Sequence, residues 1–497
     1  MLEQIGPAFT LLLDPSLLAL FFLGVVVGMI GGALPGISAS ITIALLLPLA
    51  FTLDPLMSLI VLGAIYMSAE YGGSISAILI NTPGTAAAVC TALDGHPMAT
   101  QGRAQEALYF AIIASVIGGF IGTVVLLFFT PVLARFALNF NSPEMFWLAV
   151  AGLAIVCNLT AKNFVKGAIS ALIGMLIATV GYDLETGYPR FAFGITEIES
   201  GIQLVPCIIG FFAIPQMLLS ASATDGETLT VTRQKGAFGR SLRYILLRPI
   251  LILRSSVIGT LIGILPGAGA SIASFVSYSE ARRASKIPNS FSTGNPDSVV
   301  ASECANNAMV GGSLVPLLAF GIPRSASAAV LFGAVTAHGM VPGARMFVYH
   351  AEIITAFMLS FIPVVICMLI IGRIGTPVFA SVLKVPTAYV APIVLILALI
   401  GSYSYQGNIV DVYITAICGI LGFFLIKFGF SLPALILGLI LTPMAEEGFR
   451  RTLLLSRAKG SVWDVFFSSP ICIGLMILTV LMVVSAFLKE RRRTSAA

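Results

Sequence analysis

The chain has 497 residues, of which 58% are hydrophobic and 10% are charged, and its formal net charge at pH 7 is +5. This composition lies far outside the range of water-soluble globular proteins and predicts an integral membrane protein. Apolar runs long enough to cross about 30 Å of hydrocarbon recur along the whole sequence, which excludes a soluble enzyme held by a single anchor. The small positive charge gives no reason to expect a nucleic-acid partner.

The apolar runs predict an all-α polytopic membrane protein, because they are too long and too uniformly apolar for the strands of a membrane barrel. No basic region precedes the first run, so we expect it to remain as a membrane helix rather than to be cleaved as a signal peptide. In the first half the predicted segments are 11–34, 37–51, 56–80, 107–131, 145–159, 165–180 and 202–219. In the second half they are 249–265, 268–278, 299–320, 326–337, 353–371, 390–399, 413–428, 433–441 and 465–488.

Loop charge divides the chain into four parts, with about 10–14 membrane segments in total. Residues 1–220 form a first membrane repeat, 221–247 a basic cytoplasmic linker, 248–442 a second repeat, and 443–497 an amphipathic connector with a final transmembrane helix and a basic tail. Basic residues also stand before the last segment, at 450–459, so a single crossing puts one basic cluster on the disfavoured side.

One motif occurs twice at a constant offset, which indicates two pseudo-symmetric repeats. Gly28, Gly32, Leu34, Pro35, Gly36, Ala39, Ser40 and Ile41 recur as Gly259, Gly263, Leu265, Pro266, Gly267, Ala270, Ser271 and Ile272. A second break follows in each half, at Asn81-Thr82-Pro83-Gly84-Thr85 and at Gly321-Ile322-Pro323-Arg324-Ser325. Each repeat therefore carries two broken or re-entrant helices, and loop charge favours an inverted relation between the repeats.

Helix breaks inside a membrane predict a transport site, because their free N–H groups attract anions and their free carbonyls attract cations. The predicted substrate-binding residues are Pro35, Gly36, Ser38, Ser40, Asn81, Thr82, Pro83, Gly84, Thr85, Pro266, Gly267, Gly269, Ser271, Pro323, Arg324 and Ser325. The glycines that precede the first break of each half are expected to serve helix packing instead.

The predicted ion-coupling residues are the polar side chains nearest the breaks, Glu70, Glu303, Asn306 and Asn307. We expect sodium or a proton as the coupling ion, with sodium held at the helix breaks, and neither a catalytic residue nor a cofactor. Two readings of Arg324 stay open, a bidentate carboxylate ligand and an interfacial arginine that snorkels to the membrane surface. The stretch Asp94-Gly95-His96-Pro97 is predicted to be a solvated turn.

Several motifs together resemble the large membrane subunit of the tripartite tricarboxylate transporters, the TctA family. They are the stretch 28–41, Tyr71-Gly72-Gly73-Ser74 through Thr85, Leu93-Asp94-Gly95-His96-Pro97 and Leu265-Pro266-Gly267-Ala268-Gly269. The resemblance implies a secondary transporter in the bacterial inner membrane that imports citrate or related carboxylates by symport with sodium or protons. It also implies a small TctB-like membrane subunit and a TctC-like periplasmic solute-binding protein as partners. An elevator-like movement agrees with this architecture, and a homodimer is left open.

Two other functions stay open on the residues alone, a passive anion channel and an intramembrane enzyme. The chain has no Gly-x-x-x-x-Gly-Lys-Ser/Thr loop, no His-Glu-x-x-His helix and no nucleophile elbow. The duplication favours transport, because two pseudo-symmetric units supply alternating access and a catalyst does not need them.

Overall fold

The structure is a computed structural model that describes residues 2–160, 164–183, 186–220, 234–265, 269–383, 387–459, 461–467 and 469–494. Nearly all of this backbone is α-helical, as predicted. In the described residues the strands are Gly181–Tyr182 and Pro189–Arg190, which pair antiparallel. Helices dominate because a segment in hydrocarbon has to satisfy its backbone N–H and C=O groups internally.

The helices of the first half lie close to the predicted segments, apart from two additional helices, one before the first predicted segment and one between the third and the fourth predicted segments. They are α1 (Leu2–Leu12), α2 (Pro15–Ala33), α3 (Ala39–Ala50), α4 (Pro55–Ile80), α5 (Ala88–Met98), α6 (Ala104–Ala137), α7 (Ser142–Thr160), α8 (Phe164–Ala178) and α9 (Leu204–Ser220). A π-helical turn, Ala99–Arg103, joins α5 to α6.

The second half also places two successive helices before its long central helix and a short helix after it. Its helices are α10 (Ala237–Leu246), α11 (Pro249–Ile264), α12 (Gly269–Ala284), α13 (Pro296–Phe320), α14 (Ala326–Ala337), α15 (Met346–Tyr349), α16 (Ala351–Val382), α17 (Thr387–Gln406), α18 (Ile409–Lys427), α19 (Leu432–Lys459), α20 (Val462–Phe466) and α21 (Pro470–Thr494).

Among the described residues, seven helices are long and apolar enough to cross a membrane, or eight if α10 and α11, which are bent by 79°, count as one broken span. Five further apolar helices are shorter, at 10–17 residues, and they include α3 and α14. The predicted total of 10–14 segments counts both kinds. Helices α3 and α14 each follow a break and are too short to cross the hydrocarbon, whereas α2 and α4, which each precede a break, are long enough.

The two longest buried helices of the molecule, α4 and α13, form its centre. Helix α2 packs along α4 and α11 packs along α13, while α6 lies on α13 and α16 lies on α4. Small residues permit these close approaches; a Cβ atom on Gly118 of α6 would fall 2.2 Å from the carbonyl oxygen of Cys304 on α13. Each half thus packs one helix, α6 or α16, against the long helix of the other half.

Helices α4 and α13 run antiparallel where they meet. Residue numbers rise along α4 while those of its hydrogen-bonding partners on α13 fall, in the contacts Tyr66 with Ser313, Met67 with Asn307, Glu70 with Asn306 and Ser74 with Glu303. An antiparallel crossing of corresponding helices is the arrangement that an inverted repeat requires. The repeat relation itself stays a prediction.

The predicted turn at 94–97 is wrong, because these residues form the last turns of α5. The pair Asp94-Gly95 resembles a turn signal in the sequence, yet the side chain of Asp94 is completely buried. Its carboxylate accepts hydrogen bonds from a distant loop, so tertiary contacts override the local preference for a turn.

The charged residues near 450 lie on a helix that continues through the predicted boundary at 442. Arg450 donates to Asp183 at 2.8 Å and also pairs with Glu446, and Arg451 pairs with Glu447. Both arginines are therefore held in ion pairs, and the conflict between this cluster and the basic tail remains, because the positive-inside rule counts basic residues rather than net charge. In the predicted linker, residues 221–233 lie outside the described residues and 237–246 form the amphipathic helix α10.

Candidate functional site

The first break of the first half separates α2 from α3. Helix α2 ends at Ala33, and Gly36 adopts a φ of 82°, which a side chain disfavours. Ser38 precedes α3 without capping it, and its Oγ lies 2.9 Å from the Oγ of Ser40. The predicted residues Pro35, Gly36, Ser38 and Ser40 thus form one bend with two hydroxyl groups at the start of a half-helix.

The second break of the first half lies directly against the first. Asn81 ends α4 with a φ of 53°, and the N–H of Gly84 donates to the carbonyl of Gly73 at 3.2 Å. A Cβ atom on Gly84 would fall 1.9 Å from the carbonyl oxygen of Gly32, so glycine is required by this close approach. The hydroxyl of Thr85 is buried without a hydrogen-bond partner. The structure therefore brings both breaks of this half together.

The corresponding first break of the second half is described only in part. Pro266 and Gly267 lie outside the described residues, so the structure gives no placement for these two predictions. Gly269 begins α12 with a φ of 62°, and Ser271 lies half-buried in the first turn of that helix.

The second break of the second half lies between α13 and α14. Helix α13 ends at Gly321, which adopts a left-handed conformation with a φ of 72°. Ser325 caps α14, because its Oγ accepts a hydrogen bond from the N–H of Ala328 at 3.1 Å. Pro323 and Arg324 lie between these two ends, inside the break.

Arg324 presents unpaired donors inside the protein. Its Nε and Nη1 atoms are buried and have no hydrogen-bond partner. No acidic side chain forms an ion pair with it in the part of the chain that the structure describes. The residue as a whole is half-buried, so only these two nitrogens are withdrawn from solvent. Buried donors without a partner are costly, and a carboxylate that approached the planar fork would satisfy both at once.

Tyr66 connects the first half to this break. Its hydroxyl lies 2.9 Å from the Oγ of Ser325 and 3.0 Å from the Oγ of Ser313. Because Tyr66 is on α4 and both serines belong to the second half, one side chain joins the long helix of one repeat to the break of the other.

Two adjacent asparagines on α13 turn their amides toward α4. Asn306 donates to the carbonyl of Glu70 at 3.1 Å, and Asn307 donates to the carbonyl of Met67 at 2.9 Å. The Oδ1 atoms of both asparagines are buried without a donor, and the Glu70 side chain is also buried. Amide and carboxylate oxygens are the ligands that hard cations prefer. This group could hold a sodium ion, whereas no cluster of three metal-binding side chains occurs in the described residues.

Glu303 is bound more completely than the other predicted ion-coupling residues. Its carboxylate accepts hydrogen bonds from Ser74 at 2.5 Å, from Ser115 at 2.8 Å and from Thr91. The three donors come from α4, α6 and α5, so this fully buried residue of α13 joins four helices. A carboxylate satisfied by three hydroxyl groups stabilises the assembly of the two halves, and its role in ion coupling stays a prediction.

The short helices pair across the two halves. Helix α3 packs on α14, and α5 packs on α12. Each half-helix that follows a break is therefore faced by a half-helix of the other repeat.

A cavity of about 1140 Å³ reaches the second break of the second half. Phe320 and Gly321 line its inner end, and the segment 339–345 lies along its side. The lining carries the cationic groups of Arg345 and Arg451 and the carboxylates of Glu144 and Glu447, and Arg451 pairs with Glu447. The cavity gives space for a small solute beside the break that contains Arg324.

Several residues of this region escaped the sequence analysis: Tyr66, Ser74, Asp94, Thr91, Ser115 and Ser313. Hydroxyl residues are common in membrane helices, and only the direction in which each side chain points makes these ones distinctive. The signal that the sequence offered for them was the presence of polar residues on long apolar helices. Tyr66 is the clearest example, because it stands four residues before Glu70 and therefore lies on the same helix face.

Comparisons with known proteins identify the family of the chain. The family described as "Tripartite tricarboxylate transporter TctA family" matches residues 18–437. A protein of Agrobacterium vitis described as an uncharacterized 52.8 kDa protein in the TAR-I ttuC' 3' region is 35% identical over 499 residues, which cover 99% of this chain and 97% of the relative. A second A. vitis protein, described as an uncharacterized protein in the TAR-II ttuC' 3' region, is 34% identical over 234 residues, covering 47% of this chain and 96% of the relative.

No solved structure matches the chain. The family match and the helical membrane fold point to a transporter subunit of a multicomponent system and away from an enzyme. The chain is a multi-pass membrane protein that belongs to the tripartite tricarboxylate transporter TctA family.

Proposed function

We propose that this chain is the substrate-translocating subunit of a secondary transporter that imports a tricarboxylate or related carboxylate across the bacterial inner membrane. The substrate binds between the helix breaks, and a sodium ion or a proton moving down its gradient drives the uptake. A TctC-like periplasmic binding protein delivers the substrate, and a small TctB-like membrane subunit completes the complex. An elevator-like displacement of the broken-helix arms carries the substrate across.

The two buried, unpaired nitrogens of the half-buried Arg324 are the observation that carries this proposal. Its Nε and Nη1 donors are unpaired at a break between two half-helices, and a cavity reaches the neighbouring Gly321. Burial of an uncompensated charge is tolerated where a bound ligand supplies the opposite charge. A carboxylate of the substrate is the ligand with the matching charge and geometry.

The oxygen atoms of Asn306, Asn307 and Glu70 support coupling to a cation. The amide nitrogens of both asparagines donate to carbonyls of α4, their oxygens have no donor, and the two residues stand three and four positions after Glu303 on α13. Their position on α13, the helix that ends at the Arg324 break, links cation binding to the substrate site through one rigid helix. Binding of the two ligands to the same helix is a physical basis for symport.

A passive anion channel is the second candidate, because unpaired cationic and amide groups also line pores. Accumulation against a gradient distinguishes the two functions. The chain would be reconstituted in proteoliposomes with its small subunit and binding protein, and uptake of radiolabelled citrate or succinate would be measured with an imposed sodium gradient, a proton gradient or neither. We expect concentrative uptake with one gradient and its loss with the matching ionophore. Equal uptake in all three conditions would refute secondary transport.

A further inference from the structure

The carboxylate of Asp94 occupies a nest of backbone N–H groups that belongs to the other half of the molecule. One oxygen accepts from Thr293 at 3.0 Å, from Gly294 at 2.8 Å and from Asn295 at 2.8 Å, and the other accepts from Ser292 at 2.9 Å. Consecutive N–H groups that converge in this way form an anion site. Here the anion is a side chain of α5, and the nest is the loop that leads into α13.

The loop that forms this nest is strained. Ser292 has a φ of 68°, in the left-handed region that residues with a side chain rarely adopt, and Gly294 has a φ of 106°. Such a conformation costs about 1–3 kcal/mol and persists only where other contacts hold it. The four bonds to Asp94 supply such contacts, together with the 2.9 Å contact between the Tyr278 hydroxyl and the Ser292 Oγ, so release of the carboxylate weakens what maintains the loop conformation.

The Asp94 contact lies at the end of the molecule that carries the basic linker. Gln101, on the turn after α5, donates to the carbonyl of Thr293 at 2.9 Å. Gln234, at the end of the linker, donates from its side chain to the carbonyl of Gly102 at 2.9 Å and from its N–H to Gln105. The linker holds four basic residues between 233 and 243, which assigns this end to the cytoplasm.

At the other pair of half-helices, α3 and α14, the terminal contact is aromatic rather than charged. There α14 ends at His338, whose ring lies 6.2 Å from that of Phe51 at the end of α3. The cavity of about 1140 Å³ opens beside this end, with Thr336 and Gly339 in its lining. One end of the site is therefore latched by four hydrogen bonds to a charged group, and the other borders open space.

We propose that Asp94 and the N–H groups of residues 292–295 form a latch that closes the transport path on the linker side and releases in each transport cycle. This latch rests on the proposed function, because it is one of the two gates that alternating access requires. The latch joins α5, which follows a break of the first repeat, to the loop after α12, which follows a break of the second. Opening the path on this side requires these two half-helices to separate.

A reversible cross-link across the latch tests the proposal. Gln101→Cys combined with Thr293→Cys places two exposed cysteines at a contact that the native side chain already spans, so folding should be preserved. Linking them with a short cleavable thiol reagent should reduce carboxylate uptake by at least about tenfold, and reduction should restore it. If uptake continues at the uncross-linked rate after complete linkage, the latch is refuted, because α5 and the loop after α12 would not need to separate during transport.

Two controls separate gating from damage by the reagent. The single-cysteine variants should be insensitive to it. Tyr182→Cys combined with Glu199→Cys links two residues that contact each other at 2.6 Å within one connection between α8 and α9, so it should leave uptake unchanged.

Labelling of a native cysteine tests the latch without any substrate. Cys90 is buried on α5 one turn before Asp94, and its Sγ lies 3.6 Å from the carbonyl of Ser274 on α12. Asp94→Asn should raise the alkylation rate of Cys90 about tenfold, the factor that corresponds to losing one hydrogen bond to a charged group. Asp411→Asn, a change at a buried carboxylate of α18, should leave that rate unchanged.

The labelling measurement is independent of the transport proposal. If no carboxylate enters the proteoliposomes with any variant, the proposed function is wrong, and Cys90 labelling still decides whether the latch exists. An unchanged labelling rate in a folded Asp94→Asn protein would overturn the latch even if transport is confirmed.

Discussion

Replacement of Arg324 by glutamine is the perturbation with the largest expected effect on transport. Two donors of the guanidinium, Nε and Nη1, are buried and unpaired, and both would bond a carboxylate in the bound state. A hydrogen bond to a charged group contributes about 1.5–3 kcal/mol, and glutamine retains one neutral donor pair. The expected loss of binding free energy is therefore about 3 kcal/mol, which corresponds to a rise of about 100-fold in KM.

The same substitution has an unusual expected effect on stability. In the empty protein the guanidinium is a buried charge without a partner, and its removal should leave the protein equally stable or more stable. Arg324→Lys keeps the charge but loses the planar fork, so it should raise KM by about tenfold. Uptake kinetics in proteoliposomes and thermal unfolding in detergent would measure both properties.

A matched control lies on α11, where Arg254 is half-buried and paired with Glu280 at 3.5 Å. Arg254→Gln should leave KM unchanged, because this arginine contacts none of the helix breaks. The reasoning about Arg324 would be refuted by a folded glutamine variant with the wild-type KM, and equally by a loss of stability that accounts for all of the lost uptake.

Three further changes test the packing and the cation group. Gly84→Ala should destabilise the protein by about 1–3 kcal/mol, because the added Cβ would fall 1.9 Å from the Gly32 carbonyl oxygen. Gly239→Ala is the control, because a Cβ there would have no other atom within 4 Å, and it should cause no loss of stability. Thermal unfolding compares the two variants. Glu303→Gln replaces a carboxylate that accepts three hydroxyl hydrogen bonds by an amide, so the free energy of unfolding should fall by about 2 kcal/mol. Unchanged stability would contradict the role of Glu303 in holding the four helices together. Asn306→Ala and Asn307→Ala should each raise the cation concentration for half-maximal uptake about tenfold; an unchanged cation dependence would remove both residues from the ion site.

The fold class was predictable because composition alone decides it. A chain with 58% hydrophobic residues has few alternatives to membrane helices, and Pro-Gly pairs show where those helices break. The predicted break at Pro35 falls between α2 and α3, and that at Pro323 falls between α13 and α14. In both cases the signal is local, since proline lacks the N–H that a continuing helix needs.

The partners of the site residues could not be predicted, because they depend on which helix faces which. Asp94 is the clearest case: its neighbours in sequence suggested a solvated turn, whereas four N–H groups about 200 residues away hold it inside the protein. Glu303 is similar, since its three hydroxyl donors lie on three other helices. The sequence identified both acids as polar groups near breaks but carried no information about the directions of their side chains.

For Arg324 the sequence left two roles open, and the structure favours one of them. A guanidinium after a proline break was compatible with a substrate ligand and with an arginine that snorkels to the surface. Two of its nitrogen atoms are buried and unpaired, and an interfacial arginine would expose them to water or lipid headgroups instead. This burial favours the ligand role.

The most direct test of the proposed site is a cryo-electron microscopy map of the complex in lipid nanodiscs with saturating citrate. The account predicts ligand density about 3 Å from the Arg324 guanidinium, between the break at Pro323 and the start of α14. Density for the citrate at a place remote from all of the helix breaks, with the Arg324 side chain unchanged, would contradict it.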